Sequence, residues 1–231
     1  MCTISDTVVT DILQQGHIYE VGGAVRDRLL SQSIEAKDRD YLVCGIPYSN
    51  LSRLLKNYGK VDLVGRSFGV IKFTQKRNSD PYTFDISLPR KEHSTGVGHK
   101  DFEVLFDPGL SVEDDLTRRD FTINAMAFSL DNKKLIDPLN GQLDLEKRQI
   151  RMVSDQAFPE DPLRMLRAIQ FAARLDFSIE PKTLKAIKKN ASLIQSVSVE
   201  RINEELNKLL VRAKEPSVGF RLMQETGLLK E

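Results

Sequence analysis

The rhythm of hydrophobic and polar positions changes near residue 150. Before it, short β-branched or apolar runs alternate with turn residues; after it, apolar positions recur at helical spacing almost throughout. In the first part the pattern predicts a helix over 7–14, a strand over 17–21, and a Gly22-Gly23 turn into a helix over 24–31. A strand over 39–43 follows, then a helix over 47–57 with Pro47 near its start. Three more strands are predicted at 61–64, 70–75 and 83–88. Residues 89–110 mix His, Ser, Gly and charge without a period and read as a long mobile loop. Ser111-Val-Glu-Asp114 has the form of a capped helix start with an acidic first turn. Residues 121–130 fit a helix or a strand, and Asp137-Pro-Leu-Asn-Gly141 is turn chemistry. In the second part helices are predicted from Asp161-Pro162 to about 175, over 181–189, over 198–212 with Ser198 as N-cap, and over 216–229.

Composition narrows the class. With 231 residues, 40% hydrophobic and 29% charged, the chain can bury a real core as one large domain or two modest ones. Its 34 Lys+Arg against 33 Asp+Glu exclude a polybasic or a solvating acidic tail. A nucleic-acid partner stays open, because local patches matter more than the sum. Residues 151–231 carry 14 basic and 11 acidic side chains, against 20 and 22 in residues 1–150, so the C-terminal part is the better place to meet an anion. Lys182, Lys185, Lys188 and Lys189 supply much of that excess; they read as a solvated helix face or as contacts to RNA phosphates. Cys2 and Cys44 form no C-x-x-C, and the polar N-terminus is no signal peptide, so a reducing, cytoplasmic setting is the expectation. No apolar run approaches the ~18–20 residues that span a membrane. His17, His93 and His99 have no zinc spacing and read as solvated or loop residues.

Two constellations carry chemistry. In Tyr19-Glu-Val-Gly-Gly-Ala-Val-Arg-Asp27, a strand ends in two glycines and turns into a helix. Backbone N–H groups at Gly22 and Gly23 can then approach a phosphate, with Arg26 one turn on as a charged partner. The alternative is a plain strand-to-helix turn; neither the dinucleotide nor the P-loop pattern is met. In Lys37-Asp-Arg-Asp-Tyr41, strand alternation points Asp38 and Asp40 to one side and Arg39 to the other. Two carboxylates on one face repel unless a cation lies between them, and oxygen-only ligands suit Mg²⁺. Asp85, on another predicted strand, is a third candidate ligand. Alone, this pair reads equally as an exposed edge of a strand.

Together these features resemble the nucleotidyltransferase superfamily, and in particular the class II (bacterial-type) tRNA nucleotidyltransferases and their poly(A) polymerase relatives. Four stretches carry the resemblance: Val21-Gly-Gly-Ala-Val-Arg-Asp27 with Lys37-Asp-Arg-Asp40; Asp115-Leu-Thr-Arg-Arg-Asp-Phe-Thr-Ile-Asn-Ala125; Glu160-Asp-Pro-Leu-Arg-Met-Leu-Arg167; and Glu200-Arg-Ile-Asn-Glu-Glu-Leu206. The resemblance implies an α/β (α+β) nucleotidyltransferase head with a mixed sheet over 1–150, holding the metal and triphosphate. An all-helical neck and the start of a body follow over 151–231, with the rest of body and tail absent. It implies Mg²⁺-dependent transfer from CTP and ATP to the 3′ end of tRNA, with Asp38 and Asp40 on the metal and pyrophosphate leaving. An A-adding-only enzyme, a poly(A) polymerase and a non-catalytic nucleotide-binding remnant are the alternatives.

The same resemblance places Arg119 on the incoming nucleotide and Asp120 and Asn124 at its ribose, and has Asp161 and Arg164 read the base with Arg167 in support. The residue chemistry agrees. Asp offers only acceptors and Arg only donors, and cytosine and adenine both present an amino donor beside a ring-nitrogen acceptor. Uracil and guanine present the reverse and leave the pair mismatched, at about 1–3 kcal/mol per group. The alternative for this stretch is an i,i+3 surface salt bridge, and for Arg118 and Asp120 pairing with neighbouring charges. Gln170 departs from the arginine that many of these enzymes carry there. The single Arg in Val64-Gly-Arg-Ser-Phe-Gly69 and the long loop with Arg90-Lys-Glu92 lean toward the tRNA-type, CCA-adding pattern.

Overall fold

The computed structural model describes residues 3–30, 39–64, 69–76, 82–94 and 102–231. In chain order, the first elements are α1 (Asp6–Leu13), β1 (His17–Val21), α2 (Gly23–Leu29), β2 (Asp40–Cys44), α3 (Tyr48–Lys56), β3 (Gly59–Val64), β4 (Val70–Gln75) and β5 (Tyr82–Ser87). Then come β6 (Arg90–Ser94), β7 (Phe102–Phe106), α4 (Val112–Thr117), a 3₁₀ turn at Thr122–Asn124, β8 (Ala127–Ser129) and β9 (Leu135–Ile136). The remainder is α5 (Gly141–Glu146), β10 (Gln149–Ile150), α6 (Ala157–Glu160), α7 (Leu163–Leu175), β11 (Ser178–Ile179), α8 (Pro181–Asn190), a 3₁₀ segment (Ala191–Ser196), α9 (Val199–Arg212) and α10 (Pro216–Thr226). Contacts group the chain into two units: Met1–His93, Glu103–Thr117 and Asn124–Pro138 in the first, and Ser94–Phe102, Arg118–Ile123 and Leu139–Glu231 in the second.

The first unit is built on a mixed seven-stranded sheet in the order β3-β4-β5-β2-β1-β8-β9. Within this sheet only the β2–β5 pair is parallel among the described pairings. Strand alternation gives this sheet an apolar face. Ile18, Tyr41, Val43, Ile71, Phe73, Phe84 and Ile86 meet Val8 and Ile12 of α1 and Leu51 and Leu55 of α3 in one buried cluster. Each such side chain contributes about 1.5–3 kcal/mol. The opposite face carries polar residues at the same strands, Asp40, Lys72, Thr83 and Asp85 among them.

In the second unit α7 is the central helix, with Met165, Leu166, Ala168, Ile169 and Ala172 buried, and it packs against α9 and α10. Gly219 of α10 allows a close approach: a Cβ there would lie 2.6 Å from a Leu209 methyl of α9. A short parallel pair, β10–β11, ties Gln149–Ile150 to Ser178–Ile179.

Most predicted elements form within a residue or two of their expected ends. The capped start at 111–114 is a reciprocal capping box: Ser111 N–H donates to Asp114 Oδ2 at 3.0 Å, and Asp114 N–H to Ser111 Oγ at 3.1 Å. Residues 89–110 depart from the expected loop, because 90–94 and 102–106 pair as a two-stranded sheet; residues 95–101 lie outside the described set. Arg90-Lys-Glu-His-Ser94 has no apolar alternation, so periodicity does not reveal this strand. Residues 121–130 prove to be neither one helix nor one strand. Phe121 bridges to Met152, the 3₁₀ turn follows, and β8 closes onto β1. Two of the four basic residues on α8 are salt-bridged, Lys182 to Asp155 and Lys188 to Glu225. No helix of the described residues is long and apolar enough to cross a membrane.

Candidate active site

In the first unit the chemistry gathers on the polar face of the sheet. Asp40, exposed at the start of β2, stands in register with Asp85 of β5, and Asp85 with Lys72 of β4. Adjacent strands lie about 4.8 Å apart, so the two carboxylates are side-by-side neighbours. Lys72 Nζ is 3.6 Å from Asp85 Oδ1. Asp38 lies outside the described residues. Among the described residues, no three His, Cys, Asp or Glu side chains converge. Two neighbouring carboxylates form an oxygen-only donor set, which fits a hard cation such as Mg²⁺ and not a soft one.

Arg39 goes to the other face, as strand alternation requires, where its Nη1 donates to Glu20 Oε1 at 2.7 Å. Gly22 sits between β1 and α2 with φ +72° and ψ −135°, a conformation that side chains rarely adopt. Its carbonyl accepts the first helical bond, from Arg26 N–H at 3.2 Å. Arg26 is buried (3% exposed). Its Nη1 donates to Asn124 Oδ1 at 2.6 Å and its Nε to Asp27 Oδ1 at 2.7 Å. The structure thus brings two of the expected nucleotide residues, Arg26 and Asn124, into direct contact. Cys44 is buried on β2, and its thiol is pushed up to about 12, by burial first and then by Asp115 and Glu113. A thiol so held is neutral and inert at ordinary pH.

In the second unit, charged side chains from four segments interlock. Asp120 Oδ2 accepts from Arg167 Nε at 3.0 Å and from Nη2 at 2.7 Å, while Oδ1 accepts from the Phe121 N–H at 2.7 Å. Arg167 Nη1 also lies 3.5 Å from Glu205 of α9. Burial pulls the Arg167 pKa down, but Asp120, Glu205 and Asp161 outweigh it, and the net direction is up. Asp161 precedes α7 in an extended conformation (φ −141°). Its Oδ2 accepts from Arg201 Nη2 at 2.9 Å, and its Oδ1 from the Leu163 N–H at 3.3 Å. Arg164 Nη2 donates to the Arg118 carbonyl at 2.9 Å, and Nη1 to the Ala157 carbonyl at 3.3 Å. Gln170, one turn beyond Arg167, is buried at 3% exposure, and its Nε2 has no hydrogen-bond partner among the described residues.

These positions refine the expectation at Asp161. The helix predicted from Asp161-Pro162 begins after Asp161, whose extended backbone leads the chain into Pro162 and α7. Its described ion pair is with Arg201, and that of Arg164 is with Glu160. Sequence reasoning gave no role to Arg201 and Glu205, although both fall in the fourth quoted stretch. Their i,i+4 spacing puts one cation and one anion on one face of α9, but it does not say which residues they meet.

A mixed sheet with paired carboxylates on its polar face, followed by helices with an Asp/Arg cluster, defines a nucleotidyltransferase head with a helical extension. Residues 18–151 match the family described as the poly A polymerase head domain. Residues 176–231 match that described as a probable RNA and SrmB-binding site of polymerase A. The chain belongs to the poly(A) polymerase head-domain family. It is 41% identical over 218 residues to the multifunctional CCA protein of Mannheimia succiniciproducens, covering 92% of this chain and 48% of that protein. It is 40% identical over 217 residues to that of Stenotrophomonas maltophilia, covering 92% and 50%. The chain thus spans about half the length of the curated relatives it matches. Among solved structures, the Bacillus stearothermophilus CCA-adding enzyme in complex with CTP matches with a TM-score of 0.81 at 33% identity, over 96% of this chain and 51% of that one. The Thermotoga maritima CCA-adding enzyme complexed with tRNA matches with a TM-score of 0.76 at 29% identity, over 98% and 52%.

Proposed function

We propose that this chain carries the catalytic part of a template-independent tRNA nucleotidyltransferase, which adds C and A to a tRNA 3′ end from CTP and ATP. The observation that carries the reading is the adjacent pair Asp40 and Asp85 on the polar face of the sheet, in a chain 41% identical to a multifunctional CCA protein. Asp38 and Asp40, with Asp85 in register with Asp40, would hold Mg²⁺. When bound, that ion activates the attacking 3′-hydroxyl and stabilises charge on the leaving pyrophosphate. Gly23 offers its backbone N–H to the triphosphate, while the Gly22 N–H donates to the Met126 carbonyl at 3.4 Å, so Gly22 serves the turn, and Arg26 orients Asn124 toward the ribose through their 2.6 Å bond. Arg119 contacts the nucleotide, and Asp120, fixed by Arg167, shapes the ribose site. Asp161 and Arg164 read the base: carboxylate oxygens accept from the exocyclic amine of C or A, and the guanidinium donates to the ring nitrogen.

The test offers labelled CTP, ATP, UTP and GTP one at a time to tRNA lacking CA, CCA or only the terminal A, with Mg²⁺. The expected result is incorporation of C and A and rejection of U and G, abolished by Asp40→Asn. A-only incorporation replaces the reading with an A-adding enzyme, and long A-tails on unstructured RNA replace it with a poly(A) polymerase. Nucleotide binding without incorporation, unaltered by Asp40→Asn, replaces it with a non-catalytic binding module.

A further inference from the structure

Glu20 is a buried carboxylate for which the reading above has no use. It is 1% exposed in the middle of β1, opposite Tyr41 on β2 and Phe128 on β8. Two arginines converge on it. Arg39 Nη1 donates to Oε1 at 2.7 Å, and Arg28 of α2 donates to Oε2. The Arg28 guanidinium lies 4.6 Å from the Phe128 ring centre. Arg39 is 12% exposed at its side chain, and its Nε is buried with no hydrogen-bond partner among the described residues. Glu20 holds this guanidinium by a charge-assisted bond, and the Tyr41 hydroxyl beside it is a second, neutral partner.

Such a network is a poor way to gain stability. Desolvating a carboxylate and a guanidinium costs several kcal/mol per ion, and apolar residues of equal volume often do as well or better. What it supplies is direction. Arg39 immediately precedes Asp40, where the described ladder between β2 and β1 begins. A rotation of the chain at that end would carry Arg39 out and Asp40 over, because successive strand residues face opposite sides. The Glu20–Arg39 bond opposes that rotation from the apolar side. We propose that Glu20 is a positioning residue that, through Arg39, aims Asp40 at the cation site. This rests on the reading of Asp40 as a metal ligand.

The test uses the full chain with Glu20→Gln, Arg39→Gln, the double variant and Asp40→Asn. Mn²⁺ binding is followed by electron paramagnetic resonance without nucleotide, alongside the Mg²⁺ concentration for half-maximal incorporation, KM for CTP and thermal melting. Loss of a partner behind a metal ligand costs about tenfold or more in affinity, so Glu20→Gln is expected to weaken Mn²⁺ binding about tenfold. The Mg²⁺ midpoint should rise by a similar factor, while KM for CTP at saturating Mg²⁺ changes less than about twofold. The double variant separates aim from stability, because it leaves neither buried charge unpaired. Its melting temperature should recover relative to Glu20→Gln, which leaves Arg39 buried without its carboxylate, while Mn²⁺ binding stays weak. Recovery of Mn²⁺ binding together with stability overturns the proposal, as does a folded Glu20→Gln protein with unaltered Mn²⁺ affinity. If Asp40→Asn itself leaves Mn²⁺ binding and incorporation unchanged, the ligand reading of Asp40 is what fails, and the proposal falls with it.

Discussion

Replacing Arg167 by Met tests whether the charged cluster of the helical unit is held by one cation. Arg167 gives two bonds to Asp120, which is 8% exposed, and faces Glu205, which is 3% exposed. Methionine keeps the packing of the stem but leaves both carboxylates without this guanidinium. Breaking a buried pair by removing one partner costs about 3–5 kcal/mol. Here the lower end applies, because the Arg167 side chain is 32% exposed and water reaches part of it. A loss of about 3 kcal/mol, with a urea dependence of about 2–3 kcal/mol per molar, lowers the urea midpoint by about 1–1.5 M. Arg167→Lys restores one charged bond in place of two and should recover roughly half the loss. The assay is urea unfolding followed by circular dichroism at 222 nm, on Arg167→Met, Asp120→Asn and the double variant. A charge-assisted bond of this kind predicts a coupling energy of about 1.5–3 kcal/mol between the two sites. A coupling below about 0.5 kcal/mol would mean that the two side chains touch without depending on each other, and the clamp would have to be abandoned.

Three further outcomes are expected. Gly22→Ala should lose about 1–3 kcal/mol in thermal melting, because Gly22 sits at φ +72°, ψ −135°; an unchanged melt would rule out strain at that turn. Phe84→Ala should lose about 3–5 kcal/mol in urea unfolding, because Phe84 is fully buried against Tyr41, Phe73 and Tyr82; a loss under 1 kcal/mol would contradict that packing. Cys44, raised from 9.0 to about 12 by burial, is a neutral thiol in the fold, so iodoacetamide at pH 8 should modify it only in denaturant, as read by peptide mass. The sign follows from linkage. A thiol that ionises at higher pH when folded supports the fold fully below its unfolded pKa, and that support fades as pH climbs from about 9 toward 12. Rapid labelling of the folded protein at pH 8 would contradict the burial.

The sequence pattern is informative where a local rule decides structure. Alternation at 70–75 and the helical spacing at 163–175 each bury a face, so periodicity marks them. The capping box at Ser111 and Asp114 is legible because both partners lie three residues apart. It is silent where partners are remote. Arg201 reaches Asp161 across 40 positions, Arg167 reaches Asp120 across 47, and Arg26 reaches Asn124 across 98. Nothing in local spacing selects these pairs, and the i,i+3 rule chooses Arg164 for Asp161 where the fold supplies Arg201. The candidate site residues are legible through motifs that resemble a family; what orients them lies in tertiary contacts between remote positions.

Those contacts bear on how a side-chain template selects a nucleotide in the proposed function. A pair that reads donor and acceptor positions rejects the wrong base only if it cannot turn to suit it. Each mismatch then leaves a polar group unpaired at about 1–3 kcal/mol, and two mismatches give roughly thirtyfold to twenty-thousandfold selection. Arg164 is fixed by the Arg118 and Ala157 carbonyls. Backbone acceptors of this kind persist whatever side chains stand at 118 and 157. Asp161 is fixed differently, by the Leu163 N–H on one oxygen and the Arg201 side chain on the other. The donor half of the reader is therefore built into the backbone. The acceptor half is held in part by a side chain, that of Arg201 on α9, and so it is a half that substitution can loosen.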